Sequence, residues 1–341
     1  MKYMIAVDSG GTKTESVLLD ETGHILARDV TEGANGLAVG FEKSVETLSN
    51  ACHRLAACLP EGERLSAIYG GVAGTADYFP GRLEKELYPI LPQAEHIRFE
   101  GDGGCLIAAG LGHRDGVCLI SGTGSSLFIR KGQQLKLIGG WSPWIDTEGS
   151  GYTMGREAIL AAYRALDGRG PKTVLYDLIQ EQMGQKPELM VPQIAAGGRP
   201  YIASFARTVF AGRKLGDSEA TRIYDHAVLR LGELVWAGHR ELGKPFQVVM
   251  GGGLFAAFPE FFESVKARCP ETATPILLTQ RPILGAAVEA LYEAGVEDTQ
   301  TFRDTFTREY QRIVSTNKKN AVILLRVLNG EMCGVHYRKV V

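Results

Sequence analysis

The chain has 341 residues, 45% of them hydrophobic and 22% charged, which is the composition of a soluble globular protein with room for two domains. Its net charge of −2 gives no electrostatic reason to expect nucleic acid or an anionic membrane as a partner, and no apolar run has the length of a membrane span. No signal-peptide pattern precedes the first predicted strand and none of the six cysteines forms a Cys-x-x-Cys pair, so we expect a cytoplasmic protein with reduced thiols.

The first third of the chain predicts a three-stranded antiparallel meander followed by alternating helices and strands. The predicted elements are strands at 3–7, 15–20 and 24–30, a helix at 41–58, a strand at 65–73, a helix at 78–90, a strand at 96–100 and a helix that ends near 111.

The same order then starts again. The predicted elements are strands at 116–120, 127–130 and 135–138, a mostly helical region at 150–242, a strand at 246–250, a helix at 254–268, a strand at 275–278 and a helix at 282–293. We therefore predict two similar α/β domains, at 1–114 and 115–313, with a ligand cleft between them. Residues 314–341 form a tail to which we assign no role, and within it 321–328 reads either as a strand or as an unplaced apolar end.

Two glycine-rich turns each follow a predicted strand. Their residues are Gly10, Gly11, Thr12, Lys13 and Thr14 in the first turn and Ser121, Gly122, Thr123, Gly124 and Ser125 in the second. Backbone N–H groups in such turns can converge on an anion, because glycine has no Cβ to block close approach. Neither turn has the spacing of a P-loop or of a dinucleotide-binding fingerprint. Together they suggest a bound nucleoside triphosphate.

Two carboxylates stand beside these turns. Asp8 ends the first strand, where a Mg²⁺ ion on a nucleotide would find an oxygen ligand, although an aspartate that only caps a turn is also common there. Asp102 lies between glycines where a strand gives way to a helix. It is a candidate general base for a hydroxyl group, and the alternative is a helix N-cap.

A segment at 141–152 mixes aromatic rings, carboxylates and small residues, which is the surface that a sugar site uses. We place Trp141, Asp146, Thr147 and Glu148 there as candidate sugar contacts, with a helix start as the alternative interpretation. Gly252 and Gly253 follow a strand and would let an adenosine come close to the backbone.

Six motifs in this order resemble those of the N-acetylglucosamine kinases of the BadF/BadG/BcrA/BcrD ATPase family, within the superfamily of actin, hexokinase and heat-shock chaperone ATPases. They lie at 8–14, 71–74, 101–104, 121–125, 148–152 and 251–253. The resemblance implies a duplicated ribonuclease-H-like fold that closes over ATP and an amino sugar. It implies that the two turns hold the phosphates, that Asp102 takes the proton of the sugar 6-hydroxyl, and that Asn35 binds the sugar, where we also place Gly74 and Thr75. ATP and Mg²⁺ are the expected cofactors, and a homodimer is left open.

One departure from the family pattern bears on the sugar. Where the family reads Gly-Asp-Glu-Gly, this chain has Asp146-Thr147-Glu148-Gly149, so either Thr147 replaces the sugar-binding aspartate or Asp146 supplies it. The alternatives to an N-acetylglucosamine kinase are a kinase for glucosamine, N-acetylmannosamine or N-acetylmuramic acid, a non-catalytic sugar-binding protein, and an activator ATPase with an iron–sulfur cluster.

Overall fold

The computed structural model describes residues 1–79, 81–142, 144–316, 322–328 and 331–338. The chain divides into two units. The first consists of Met1–Asp115, Arg130–Leu135 and Gln280–Val341, and the second of Gly116–Ile129 and Lys136–Thr279. No described helix combines the length and the apolar content that crossing a membrane requires.

The first unit begins with the predicted meander. Its elements up to residue 111 are β1 (Tyr3–Ser9), β2 (Lys13–Asp20), β3 (Ile25–Glu32), α1 (Gly36–Val39), α2 (Phe41–Ala56), β4 (Leu65–Val72), α3 (Arg82–Leu87) with a 3₁₀ turn at Tyr88–Ile90, β5 (Ala94–Glu100) and α4 (Gly103–Leu111).

The second unit starts with another strand and contains most of the helices. Its elements are β6 (Gly116–Ser121), β7 (Ser125–Lys131), β8 (Gln134–Ile138), α5 (Gly151–Leu166), α6 (Leu175–Met183), a 3₁₀ turn at Pro187–Leu189, α7 (Val191–Ser204), α8 (Ala206–Lys214), α9 (Ser218–Leu242), β9 (Phe246–Gly251), α10 (Gly253–Ala257), α11 (Pro259–Lys266) and β10 (Ala273–Leu277). The turn between β7 and β8 groups with the first unit.

The two sheets share one strand order. The first sheet reads β3-β2-β1-β4-β5, and the second reads β8-β7-β6-β9-β10. In the first sheet β1 is antiparallel to β2 and parallel to β4, and β4 is parallel to β5. In the second sheet β9 is parallel to both β6 and β10. The predicted duplication of an α/β domain is therefore confirmed by the topology.

Strand β1 is apolar from residue 3 to residue 7 because helices cover both faces of the first sheet. Met4 and Ala6 pack into a core with α4, α12 (Pro282–Glu293) and α13 (Gln300–Thr316), whereas Ile5 and Val7 pack on the other face with α2. Successive strand side chains point to opposite faces, so each face takes alternate residues. In the second unit, alternate residues such as Val117 and Leu119 of β6 pack into one large core with α5, α8 and α9.

The chain returns to the first unit at Gln280. Helix α12 packs Leu284 and Val288 into the core beneath β1. Gly285 allows this helix to approach α4 closely, because an added Cβ would lie 1.7 Å from the Cys105 carbonyl oxygen. The sequence prediction instead assigned everything from 115 to 313 to the second domain. Chain order does not reveal that the last helices pack on the first sheet.

The described part of the tail consists of the end of α13, at 314–316, and a hairpin. Strand β11 (Val322–Leu328) pairs antiparallel with β12 (Glu331–Arg338). Of the two interpretations offered for 321–328, the strand is therefore the one found over 322–328, and the rest of that run lies outside the described residues.

Candidate active site

The first glycine-rich turn joins β1 to β2 and is closed by its own backbone. The Gly10 N–H donates to the Lys13 carbonyl over 3.0 Å, and the Ser9 and Thr14 hydroxyls lie 2.8 Å apart at its base. Neither Gly10 nor Gly11 has a positive φ, and a Cβ built on Gly11 would meet no described atom within 4 Å. The fold itself does not demand glycine at Gly11. The space beside Gly11 is therefore open to a ligand.

Gly33 supports this turn from outside. A Cβ on Gly33 would lie 2.6 Å from the backbone carbonyl of Gly11 and 2.7 Å from the Gly10 oxygen. The loop after β3 can therefore pack directly on the turn only because residue 33 has no side chain. The sequence analysis placed Gly33 in a loop and gave it no function.

Lys13 is anchored by a buried glutamate. Its Nζ lies 2.7 Å from Oε2 of Glu15, and the other carboxylate oxygen, Oε1, accepts hydrogen bonds from Arg28 and from the Tyr310 hydroxyl. Burial raises the pKa of the Glu15 carboxyl, but Arg28, Lys13 and Tyr310 outweigh that effect and leave the pKa below its usual range. Glu15 is thus a charged anchor that holds the lysine of the turn in place.

Asp8 and Asp102 lie on either side of Gly71. Asp8 is the register partner of Gly71 across β1 and β4, and a Cβ built on Gly71 would lie 3.3 Å from the Asp102 Cα. Burial, and then the charge of Glu15, raise the pKa of Asp8 to about 7. Burial, then Asp77 and Asp8, raise the pKa of Asp102 to about 8. These two carboxylates therefore form one electrostatically coupled site at the ends of β1 and β5, the two strands that flank β4.

The Asp102 side chain does not cap helix α4, although Asp102 occupies the N-cap position. The backbone N–H groups of Asp102 and Gly103 offset only part of the pKa increase. The side chain thus does not form the capping hydrogen bond that the sequence offers as the alternative role for Asp102.

Asp77 is a third carboxylate of this cluster, and the sequence analysis missed it. It lies in the turn after β4, where burial raises its pKa to about 6 against the opposing effect of the Gly74 backbone. In the sequence, the one indication that Asp77 belongs to this cluster is an acidic residue three positions after Gly74. A carboxylate in a turn is so common that this signal carries little weight without the fold.

Asn35, Gly74 and Thr75 come together, as the sequence analysis grouped them. A Cβ on Gly74, whose φ is 68°, would lie 2.6 Å from the Asn35 side-chain oxygen. Thr75 is fully buried, and its hydroxyl accepts from the Gly36 N–H over 2.6 Å and donates to the Ala34 carbonyl. Asn35 is half-buried at the start of α1, so Thr75 positions the loop that carries it.

The second glycine-rich turn is fixed by the segment that leads into α5. The Ser121 hydroxyl donates to the Gly149 carbonyl over 2.8 Å, and the Ser125 hydroxyl donates to the Glu148 carbonyl over 2.7 Å. In return the Gly151 N–H donates to the Gly122 carbonyl over 2.7 Å, and the next N–H donates to the Thr123 carbonyl over 3.1 Å. The segment at 147–152 therefore acts as a frame for this turn.

Thr147 belongs to that frame. It is buried, and its hydroxyl accepts the Ser125 N–H over 3.2 Å. Asp146, the residue before it, is half-buried and forms a short bridge with Ser142. Trp141 is half-exposed, and the Glu148 carboxylate lies 3.7 Å from Nδ1 of His226.

Gly252 lies directly on the second turn. Its φ is 106°, and an added Cβ would lie 2.4 Å from the Ser121 carbonyl oxygen. The Gly253 N–H group lies 3.5 Å from the position of a Cβ on Gly122. The structure thus brings the second turn together with Gly252 and Gly253, which follow β9. In the sequence about 130 residues separate the turn from these glycines.

The described residues contain no group of three His, Cys, Asp or Glu side chains arranged to enclose a metal ion. A nucleotide-bound Mg²⁺ needs fewer protein ligands than that, because phosphates and waters supply most of its oxygens. Asp8 fits this role. Its carboxyl has a raised pKa and makes no hydrogen bond or ion pair within the described part of the chain, so a nearby cation would stabilise its charged form.

Two relatives with known names match most of the chain. An N-acetylmuramic acid/N-acetylglucosamine kinase of Clostridium acetobutylicum is 30% identical over 240 residues, which cover 68% of this chain and 77% of that protein. An N-acetyl-D-glucosamine kinase of Dictyostelium discoideum is 26% identical over 273 residues, which cover 74% and 85% of the two chains.

Solved structures show the same fold. A candidate N-acetylglucosamine kinase of Chromobacterium violaceum superposes with a TM-score of 0.63 at 23% identity, covering 85% of this chain and 99% of that one. A ROK hexokinase of Thermus thermophilus superposes with a TM-score of 0.54 at 18% identity, covering 86% and 99%. Residues 5–290 match the BadF/BadG/BcrA/BcrD ATPase family. The predicted resemblance is thus confirmed, and the chain belongs to the BadF/BadG/BcrA/BcrD ATPase family.

Proposed function

We propose that this protein is a kinase that transfers the terminal phosphoryl group of ATP to the 6-hydroxyl of an amino sugar, with N-acetylglucosamine as the first candidate. The observation that carries the proposal is the pair of coupled carboxylates, Asp8 and Asp102, placed at the strand ends beside a glycine-rich turn. The named relatives are sugar kinases, which supports the reaction class. Their names include N-acetylglucosamine, N-acetylmuramic acid and glucosamine, which supports an amino sugar as the substrate.

In this proposal Asp102 is the general base. Its carboxylate accepts the proton of the sugar hydroxyl as the hydroxyl oxygen forms a bond to the terminal phosphorus and the bond from that phosphorus to the ADP oxygen breaks. The proton ends on Asp102, and Asp102 releases it to solvent after the phosphorylated sugar has left. A base whose pKa lies near 8 is well matched to this work, because it holds the proton more firmly than an ordinary aspartate.

The other groups bind and orient. The open backbone at 9–13 would contact phosphate oxygens on the first unit, and the backbone at 121–125, with Gly252 and Gly253, would contact the nucleotide on the second. Asp8 would hold Mg²⁺, which supplies charge neutralisation on the phosphates when bound. Asn35 and Asp146 carry polar groups suited to sugar hydroxyls.

The test is a panel of sugars with ATP and Mg²⁺, read by coupled ADP release. The panel contains N-acetylglucosamine, glucosamine, N-acetylmuramic acid and N-acetylmannosamine, with glucose as the sugar that lacks the amino group. We expect turnover with at least one amino sugar, and we expect Asp102→Asn to lower kcat by a factor on the order of 10²–10⁴. Sugar-dependent thermal stabilisation without ADP release would point to a sugar-binding protein. Sugar-independent ADP release accompanied by bound iron would point to an activator ATPase.

A further inference from the structure

The side chain of one arginine approaches the second glycine-rich turn. Arg199 lies in α7, directly after a break at Gly198, where φ is 56° and ψ is −150°. One terminal nitrogen of its guanidinium lies 3.6 Å from the position that a Cβ on Gly124 would occupy. A side chain from the helical region thus reaches the turn that the proposed function assigns to phosphate.

Arg199 lacks the partners that the other partly buried arginines have. Arg130, Arg303 and Arg98 each form an ion pair with a carboxylate. Arg199 forms no ion pair within the described part of the chain, and its Nε is buried without any hydrogen-bond partner. The ring centroid of Tyr152 lies 5.9 Å from its guanidinium carbon. Burial lowers the pKa of Arg199, which is the direction expected for a cation that has lost water and gained no anion.

Arg199 lies in a segment of α7 that packs closely against α5. The half of α7 that follows the break lies against the start of α5, where a Cβ on Gly155 would lie 2.0 Å from the Ile202 carbonyl oxygen. Gly151 opens the same helix and donates its N–H to the Gly122 carbonyl of the turn. One short region of α5 therefore supports both the turn and the segment that presents Arg199.

We infer that Arg199 is a phosphate-binding residue, which acts together with the backbone of the second turn on a phosphate group of the nucleotide. This inference rests on the proposed function for the identity of the ligand. The guanidinium group presents several N–H donors in one plane, and this geometry matches the oxygens of a phosphate. A phosphate at this place would also supply an anion for the partly buried guanidinium and a hydrogen-bond acceptor for its buried Nε.

The test compares Arg199→Gln and Arg199→Lys with Arg207→Gln, a control on an exposed arginine of α8 whose Nε donates to the Ser204 carbonyl. Calorimetry measures the affinity of each protein for ATP, ADP, adenosine and the 6-phosphate of N-acetylglucosamine. We expect Arg199→Gln to weaken ATP or ADP binding about 10- to 100-fold, with adenosine binding unchanged. Arg199→Lys should recover part of the loss, and Arg207→Gln should match the wild type.

Three outcomes are decisive. Equal affinity of the wild type and Arg199→Gln for both ATP and ADP overturns the inference. A loss confined to the sugar phosphate also overturns it, since the phosphate would then belong to the product and not to the nucleotide. A thermal midpoint unchanged in Arg199→Gln, together with the selective loss of ATP or ADP binding, supports it. Binding is measured without turnover, so a failure of the sugar panel would refute the proposed reaction while leaving this measurement intact.

Discussion

Replacing Asp77 by asparagine should move the pH dependence of catalysis toward lower pH. Asp102 must be deprotonated to accept a proton, so kcat/KM should rise as the pH increases through its pKa, which stands at about 8 in the free protein. Asp77 has a pKa of about 6 and is therefore charged over the range in which Asp102 titrates. Its negative charge opposes the loss of the Asp102 proton, and an uncharged amide at position 77 removes that opposition.

The size of the effect follows from the order of the causes. The pKa of Asp102 rises from 3.8 to about 8, with burial as the largest cause, Asp77 second and Asp8 third. Asp77 therefore contributes less to the increase than burial does. We expect the acidic midpoint of kcat/KM to fall by about one pH unit, equivalent to about 1.4 kcal/mol in favour of the charged carboxylate.

The measurement is kcat/KM for the sugar between pH 5.5 and 9.5, at constant ionic strength and saturating ATP and Mg²⁺. Asp304→Asn serves as the control, because it removes one exposed carboxylate of the same unit. Its midpoint should coincide with that of the wild type. An Asp77→Asn midpoint that stays in place, or moves to higher pH, would show that Asp77 does not act on the group that titrates. The midpoint is informative even if the substitution also lowers the maximal rate.

Three further predictions use other features of the site. Asp102→Asn should raise the free energy of unfolding by about 1–2 kcal/mol at pH 8 and have little effect near pH 4. The reason is that the folded-state pKa of Asp102 lies above the ordinary value of 3.8, so the wild-type protein loses stability as the pH rises from 3.8 to about 8. Thermal melts at both pH values check this, and equal gains at both would contradict it. Asp8→Asn should raise the Mg²⁺ concentration needed for half-maximal turnover by about tenfold or more, with sugar affinity unchanged, as a Mg²⁺ titration and sugar calorimetry would show. Gly11→Ala should leave the thermal midpoint unchanged and weaken ATP binding, whereas Gly33→Ala should lower the thermal midpoint, because only the second substitution meets protein atoms; a stable Gly11→Ala variant with normal ATP affinity would remove the first turn from the phosphate site.

Much of this fold is readable in the sequence because its strands are short apolar runs bounded by glycine. The run Tyr3–Val7 predicts a buried strand, and the pattern of a strand, a hydroxyl-rich glycine turn and a second strand recurs at 116–130. The period of the side chains and the absence of bulk in the turns are local properties. They do not depend on which elements later pack together.

The parts that could not be predicted depend on packing between distant segments. Asp77 looks like an ordinary turn residue until the parallel pairing of β4 with β5 sets its turn near Asp102. Arg199 looks like a solvated charge in a glycine-rich stretch until the break at Gly198 aims it at Gly124. Each residue carries a charge that the fold partly buries, and no ion pair joins that charge to another residue in the part of the chain that the structure describes. A single sequence records neither burial nor pairing.

The structure bears on the departure from the family pattern at Thr147. The sequence leaves two alternatives: either Thr147 replaces the usual sugar-binding aspartate, or Asp146 supplies that carboxylate. The Thr147 hydroxyl is buried and accepts the Ser125 N–H, so its contacts lie with the second turn. Thr147→Val keeps the shape of the side chain but leaves that N–H unpaired at a cost of about 1–3 kcal/mol. We expect the KM for ATP to rise and the KM for the sugar to stay unchanged, with Thr147→Ser close to the wild type.

Asp146 then remains as the candidate carboxylate for the sugar. Losing a charge-assisted hydrogen bond to a hydroxyl costs about 1.5–3 kcal/mol, so Asp146→Ala should raise the KM for the sugar about ten- to hundredfold while sparing ATP. Substitutions at two adjacent residues should thus have opposite effects: Thr147→Val raises the KM for ATP, and Asp146→Ala raises the KM for the sugar. Steady-state kinetics with each substrate varied in turn distinguishes these effects. If Thr147→Val damages the sugar KM and Asp146→Ala does not, the threonine itself contacts the sugar, with its hydroxyl donating to a sugar oxygen while it accepts the Ser125 N–H.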